Sequence, residues 1–244
     1  MIATTWRLPD APLRSSAVAT KLTALLALIV VATIARTGLP VSTLYAVKAS
    51  AAFAAVMLLS LGFLQQHHPF TRFGAANQIT TVRALLVSLV VSLIGEPRLP
   101  AIAASAAAAS VVVTLLDGVD GWLARRNRIA SDFGARFDME IDALLILALS
   151  MLAWRFEKAG AWVVLSGVLR YAFVGAGARW TWLHAPLPAS RRRQAICVLQ
   201  IVALTVAIVP AIPPPISAPL AAVALGALGV SFLVDILWLW RRAT

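Results

Sequence analysis

The sequence is poor in charged residues and has almost no cysteine or histidine. Charged side chains make up 13% of its 244 residues, with one cysteine and three histidines. A single cysteine excludes an internal disulfide. So few charges in a chain that is 61% hydrophobic argue against a water-soluble globular protein. Because several apolar stretches approach the ~20 residues that cross a bilayer, the chain is predicted to be all-α, a polytopic transmembrane helical bundle.

Hydrophobic runs separated by charged or Pro-containing segments predict eight transmembrane helices. The first run could also be interpreted as a signal sequence, but it has no convincing small-residue cleavage site, and we expect it to be a retained helix. The predicted spans are residues 18–35, 44–64, 78–95, 101–124, 138–156, 160–183, 194–210 and 219–240.

The basic residues are unevenly distributed along the chain. The formal net charge is +11, and arginines and lysines gather before the first and third predicted spans, after the fourth and sixth, and at the C-terminus. In a membrane chain such a bias indicates topology rather than nucleic-acid binding, and no nucleic-acid partner is expected. The positive-inside rule predicts that both termini and the aspartates between residues 117 and 142 face the cytoplasm.

Four aspartates are placed at helical spacing in this otherwise apolar region. Asp117 and Asp120 are three residues apart, and Asp138 and Asp142 are four apart, so each pair would share one face of a helix. Carboxylates at membrane depth cost a few kcal/mol each, which makes the cluster a candidate functional site. Their mutual repulsion predicts protonation or compensation by cations, and all-oxygen ligands suit Mg²⁺, Mn²⁺ or Ca²⁺.

Small residues accompany the acids. Gly118, Gly121 and Ala124 have minimal side chains, which let a bulky ligand or a neighbouring backbone approach the helix closely. A polyphosphate bound through metal ions fits this combination.

The acidic cluster would also suit a calcium-binding loop or a transport pathway. An EF-hand loop requires ligands at loop positions 1, 3 and 5 and a glutamate at 12, and the segment that begins at Asp117 does not supply them. An ion- or solute-translocating membrane protein with an intramembrane acidic site remains the alternative.

The pattern Asp-Gly-x2-Asp-Gly-x2-Ala-Arg-x8-Gly-x3-Asp-x3-Asp, complete from Asp117 to Asp142, resembles the signature of the CDP-alcohol phosphatidyltransferase family of integral membrane enzymes. A looser match, Asn-x2-Thr-x2-Arg at Asn77–Arg83, resembles the segment that opens the first core helix of many members. The family's usual six-helix core implies that residues 66–244 form the catalytic core and that residues 1–65 add two N-terminal helices.

The resemblance implies transfer of the phosphatidyl group of CDP-diacylglycerol to an alcohol, with release of CMP, Mg²⁺ or Mn²⁺ as cofactor and a possible homodimer. It implies metal ligation by Asp117, Asp120, Asp138 and Asp142, with Asp142 also as general base. The residues that it implies for binding the CDP-donor are Asn77, Thr80, Arg83, Gly118, Gly121, Ala124, Arg125 and Gly134.

The acceptor is indicated by a basic segment before the seventh span. Ser190, Arg191 and Arg193 resemble the segment with which some family members hold a phosphorylated acceptor, such as glycerol 3-phosphate or an inositol phosphate. Arginine forks suit phosphate, although the same run could only anchor the topology. Arg170 lies deep in the sixth span and is expected to face a polar cavity. The composition favours a bacterial cytoplasmic membrane.

Overall fold

Helices form almost all of the structure, a computed structural model that describes residues 9–126, 131–188 and 190–243 and has no strand among them. Within these ranges, the side chains that are not described are those of Gln65, Gln66, His67, Asp120, Trp122, Ala124, Arg125, Arg126 and His184. The α-helices are α1 (Ala11–Gly38), α2 (Tyr45–His67), α3 (Ala75–Ser92), α4 (Pro100–Arg126), α5 (Asp132–Arg155), α6 (Leu165–Arg179), α7 (Arg191–Ile208) and α8 (Pro214–Ala243).

The predicted all-helical architecture is confirmed, and each of the eight predicted spans overlaps one helix. Six described helices, namely α1 to α4, α6 with its preceding 3-10 turn, and α8, are long and apolar enough to cross a membrane. Helices α5 and α7 are not among the six, and each begins with several charged residues. Length and composition are those of an integral membrane protein.

Proline and glycine account for several helix starts. Pro12, Pro100 and Pro214 lie in the first positions of α1, α4 and α8, where the missing amide hydrogen would have no helical partner. Gly74 has φ +80°, a conformation that favours glycine, and directly precedes α3. This turn starts α3 at Ala75, three residues before the predicted start.

The first of two compact units contains residues Met1–Ile102 and Ala108–Ile141. In it α1, α2 and α3 pack against one another. The buried ammonium of Lys21 in α1 donates hydrogen bonds to Met57 O (3.1 Å) and Ser60 Oγ (2.6 Å) of α2 and lies 5.7 Å from the ring centre of Phe73. One buried cation therefore joins α1, α2 and the approach to α3.

A second polar cluster in this unit centres on Glu96, in the connection between α3 and α4. Its buried carboxylate accepts hydrogen bonds from Ser42 N (2.6 Å), Ser42 Oγ (2.8 Å) and Lys48 Nζ. Burial by itself raises the pKa of Glu96, but these hydrogen bonds and the charge of Lys48 outweigh burial and hold its pKa below the ordinary value.

The second unit contains residues Ala103–Ala107 and Asp142–Thr244, and α7 and α8 pack against each other within it. The ammonium of Lys158 donates to the carbonyl oxygens of Val209 (3.0 Å), Pro210 (3.3 Å) and Ile212 (2.5 Å), which connect these two helices. Ser217 of α8 donates in turn to Lys158 O (2.6 Å). Lys158 thus fixes the α7–α8 connection.

Replacing Glu96 should weaken the first unit in a pH-dependent way. Because the folded pKa is depressed, the carboxylate stabilises the fold fully above the ordinary glutamate value of about 4.3, and this contribution is lost as the pH falls through the lower folded pKa. We expect Glu96→Gln to cost about 1–3 kcal/mol at pH 7, because buried donors lose a charged acceptor, and to flatten the acid side of the stability curve.

Thermal unfolding in detergent from pH 7 to pH 3 measures this effect. Asp10→Asn, which removes an exposed carboxylate before α1, is the charge-matched control. If Glu96→Gln is as stable as the wild type at every pH in this range, the Glu96 carboxylate does not stabilise the first unit.

Candidate functional site

A fully buried arginine holds two of the predicted aspartates in the first unit. Arg83 of α3 donates to Asp117 Oδ1 of α4 (2.8 Å) and to Asp138 Oδ1 of α5. The Arg83 side chain is 0% exposed, whereas those of Asp117 and Asp138 are 30% and 37% exposed. One guanidinium therefore compensates two carboxylates that remain accessible on one side.

Asp142 extends this acidic group along α5. It follows Asp138 by one turn of the same helix. Cys197 Sγ of α7 lies 3.7 Å from Asp142 Oδ2. Cys197 is half-buried, and its thiol donates to this carboxylate.

The three carboxylates fit a divalent cation by their chemistry. All donors are oxygens and half-exposed, as Mg²⁺ and Mn²⁺ prefer. Arg83 already compensates part of their charge, which keeps like charges close together without a metal ion. Metal ligation by any of these aspartates stays a prediction.

Three predicted site residues on α4 lie where side chains are not described. They are Asp120, Ala124 and Arg125. Gly118 on the same helix is exposed, and apart from its chain neighbours and the adjacent backbone of α4 no described atom lies within 4 Å of the position that a Cβ would take. The packing of the described residues therefore gives no reason for a glycine at 118, and ligand approach there stays a prediction, as it does at Gly121.

Gly134 has a packing reason. A Cβ at Gly134 of α5 would lie 3.0 Å from Asn77 Oδ1 of α3, so this glycine permits close approach of the two helices. The role in donor binding that the resemblance implies is untested.

Asn77 and Thr80 of α3 are both buried and bond to backbone. Asn77 Nδ2 donates to Phe73 O (2.6 Å), and Thr80 Oγ1 donates to Ala76 O (3.1 Å). These bonds stabilise the first turns of α3 and its entry. Of the three predicted donor-binding residues on this helix, Arg83 is the one that makes ion pairs with the acidic group.

In the second unit, Asp235 of α8 partly neutralises the basic run at the start of α7. Arg192 donates to Asp235 Oδ1 and to Ser231 O (2.9 Å), and Arg193 lies 3.3 Å from the same Asp235 oxygen. Arg193 also donates to Pro188 O. Two guanidinium groups thus share one largely buried carboxylate, which leaves one net positive charge.

The other predicted acceptor residues are placed less tightly. Ser190 is the N-cap residue of α7, its hydroxyl makes no capping hydrogen bond, and Arg191 is exposed. Arg170 of α6 is half-buried. Sequence reasoning missed Asp235, although it is the only acid in α8 and an acid within an apolar helix is itself a signal.

Comparisons with known proteins agree with these observations. The sequence profile of the CDP-alcohol phosphatidyltransferase family matches residues 73–235. The CDP-diacylglycerol–glycerol-3-phosphate 3-phosphatidyltransferase of Bacillus subtilis (strain 168) is 26% identical over 104 residues, which cover 38% of this chain and 54% of the relative. The chain thus spans about half the length of this curated relative. No solved structure matches it.

Removing the buried guanidinium of Arg83 should leave the repulsion between Asp117 and Asp138 uncompensated. We expect Arg83→Met to lower the free energy of unfolding by about 1.5–3 kcal/mol, because charge-assisted hydrogen bonds are lost. Added Mn²⁺ should then raise the melting temperature of Arg83→Met more than that of the wild type, because a bound cation replaces the lost charge.

Thermal unfolding in detergent with and without Mn²⁺ measures both effects. Arg83→Lys, which keeps the positive charge, is the control and should show a smaller gain than Arg83→Met. An equal Mn²⁺ gain in the wild type and Arg83→Met would contradict charge compensation by Arg83.

Proposed function

Since this chain belongs to the CDP-alcohol phosphatidyltransferase family, we propose that it transfers the phosphatidyl group of CDP-diacylglycerol to an alcohol and releases CMP. The observation that supports this most is the pair of Asp117 and Asp138 held by Arg83, which lies inside the matched region and within the complete family signature that ends at Asp142. The reaction forms a bond from the acceptor oxygen to the lipid-bearing phosphorus and breaks the bond from that phosphorus to CMP.

The cofactor is proposed to be Mg²⁺ or Mn²⁺, held by Asp117, Asp138 and Asp142 together with Asp120. When bound, such a cation would neutralise the diphosphate of the donor and the charge that develops on the leaving CMP. Arg83 orients Asp117 and Asp138 through its two ion pairs. The small residues Gly118 and Gly121 leave room on α4 for the nucleotide.

Asp142 is proposed to accept the proton of the acceptor hydroxyl as that oxygen attacks phosphorus. A carboxylate suits this role where a neighbouring group adjusts its basicity, and a positioned base contributes about 10²–10⁴-fold to rate. Cys197 Sγ, at 3.7 Å from Asp142 Oδ2, is close enough to restrict the orientation of this carboxylate.

The acceptor is proposed to be a phosphorylated alcohol, with glycerol 3-phosphate favoured. The curated relative is named for that acceptor, and Ser190, Arg191, Arg193 and Arg170 are the proposed phosphate ligands. Arg193 is held by Asp235 and Pro188 O, which orient its guanidinium before the substrate binds. Pre-oriented arginine forks bind phosphate oxygens with little further loss of side-chain entropy.

The proposed setting is a bacterial cytoplasmic membrane with the acidic group on the cytoplasmic side, and the proposed assembly, by family resemblance alone, is a homodimer. Basic residues at alternate connections support this orientation. The competing function is ion or solute translocation. Proteoliposomes that show flux without a new phospholipid or CMP would favour the translocation function.

Metal dependence is the direct test of the acidic group. Asp138→Asn should abolish CMP release in purified protein supplied with CDP-diacylglycerol, Mn²⁺ and glycerol 3-phosphate, and excess chelator should do the same to the wild type. Asp132→Asn, which removes an acid outside the signature from the same helix, is the matched control and should retain turnover. Full turnover in chelator would refute the metal-assisted mechanism.

The acceptor phosphate can be tested separately. Replacing Arg191 and Arg193 together with glutamine should raise the acceptor KM strongly and leave the KM for CDP-diacylglycerol nearly unchanged, since each lost charge-assisted bond costs about 1.5–3 kcal/mol. Arg241→Gln, at the exposed end of α8, removes one positive charge as the control. A preference for unphosphorylated alcohols in an acceptor panel would refute phosphate binding by this run.

A further inference from the structure

His68 lies between α2 and α3 and is buried, with 7% of its surface exposed. Its imidazole has one partner on each nitrogen. Nε2 lies 2.9 Å from Arg72 O, and Nδ1 lies 3.1 Å from Ser131 Oγ. Ser131 directly precedes α5, so His68 connects the entry to α3 with the start of the helix that bears Asp138.

The chemistry of the partners fixes the direction of these hydrogen bonds. A carbonyl oxygen only accepts, so Nε2 carries a hydrogen and donates to Arg72 O. In the neutral ring Nδ1 then accepts from the Ser131 hydroxyl, and Ser131 Oγ accepts in turn from the backbone N–H of Gly134 (3.1 Å). A continuous chain of hydrogen bonds runs from residue 72 through His68 to the first turn of α5.

Aromatic contacts enclose the same junction. The ring of Phe133 meets His68 edge-on at 5.9 Å, lies 6.1 Å from Phe73 and stacks on Phe137 at 5.6 Å. The close approach of Gly134 to Asn77 also restrains this turn. The first turn of α5 is therefore held both by packing and by a directional polar contact.

Asp138 lies one turn beyond Gly134 on α5, so a rotation of the first turn would move its carboxylate relative to Asp117 and Arg83. We propose that His68 is a positioning residue that, through Ser131, sets the rotation of α5 and thereby the geometry of the Asp117–Asp138 carboxylate pair. Its effect on cation binding rests on the metal ligation proposed above, and its effect on turnover rests in addition on the proposed reaction.

Two amide variants separate the two nitrogens of the ring. Asparagine places an amide atom near the position of Nδ1 and can keep the contact with Ser131, whereas glutamine reaches towards the position of Nε2 and can keep the contact with Arg72 O. We expect His68→Gln to weaken Mn²⁺ binding by about 10–100-fold, as is typical for loss of a group that orients metal ligands. His68→Asn should stay close to the wild type.

The experiment titrates Mn²⁺ into purified full-length protein by electron paramagnetic resonance and measures CMP release and thermal unfolding for the same variants. In the turnover assay His68→Gln should lower kcat far more than it changes the acceptor KM. Ser131→Ala should reproduce the loss of Mn²⁺ affinity, and the double variant of His68→Gln and Ser131→Ala should lose little more. Ser16→Ala, which removes the hydroxyl that accepts from Phe73 N, is the control outside this hydrogen-bond chain.

Equal Mn²⁺ affinity in His68→Gln and the wild type would overturn the proposal. The proposal would also be overturned if His68→Asn, His68→Gln and Ser16→Ala lost Mn²⁺ affinity equally and in proportion to their lower melting temperatures. That result would show an effect of packing alone. If His68→Gln does not fold, Ser131→Ala decides by the same affinity measurement. Mn²⁺ binding that depends on His68 without CMP release from any acceptor would refute the proposed function and leave the positioning role standing.

Discussion

The arrangement of the first unit depends on charge compensation by Arg83. Two carboxylates on separate helices would repel each other in an apolar setting, and a fully buried guanidinium that pairs with both lets Asp117 and Asp138 approach each other. Arg83 has a rigid fork, so it fixes direction as well as charge. Arg83 on α3 therefore holds Asp117 of α4 and Asp138 of α5 in one defined geometry. A site for phosphate chemistry requires such fixed positions.

Charged side chains are also compensated by nearby partners at other positions of the chain. Lys21, Glu96 and Lys158 are each surrounded by hydrogen-bond partners contributed by other segments, and Asp235 holds two arginines. A sparse set of charges thus determines how apolar helices, which have little preference for one neighbour over another in lipid, are joined within each unit.

Helical spacing predicted that Asp138 and Asp142 lie one turn apart on one helix, as they do in α5, and the sequence predicted the helices well because hydrophobic length is a strong signal. It did not predict that Arg83 pairs with Asp117 and Asp138, since spacing within α3 says nothing about which helix lies opposite. His68 and Asp235 were missed for a related reason: each has a partner far away in the sequence, Ser131 for His68 and Arg192 for Asp235. The start of α3 was misplaced because a positive φ at Gly74 leaves no hydrophobic signature.

Gly118 separates what the fold requires from what a ligand would require. A glycine inside a helix costs about 1 kcal/mol relative to alanine, and the described neighbours leave open space where a methyl group would lie. A methyl group at this position should therefore make the protein itself no less stable. If the added methyl group weakens ligand binding, the cause is a steric clash with a molecule that approaches α4 from outside. The size of that loss then reports how closely the molecule approaches the helix.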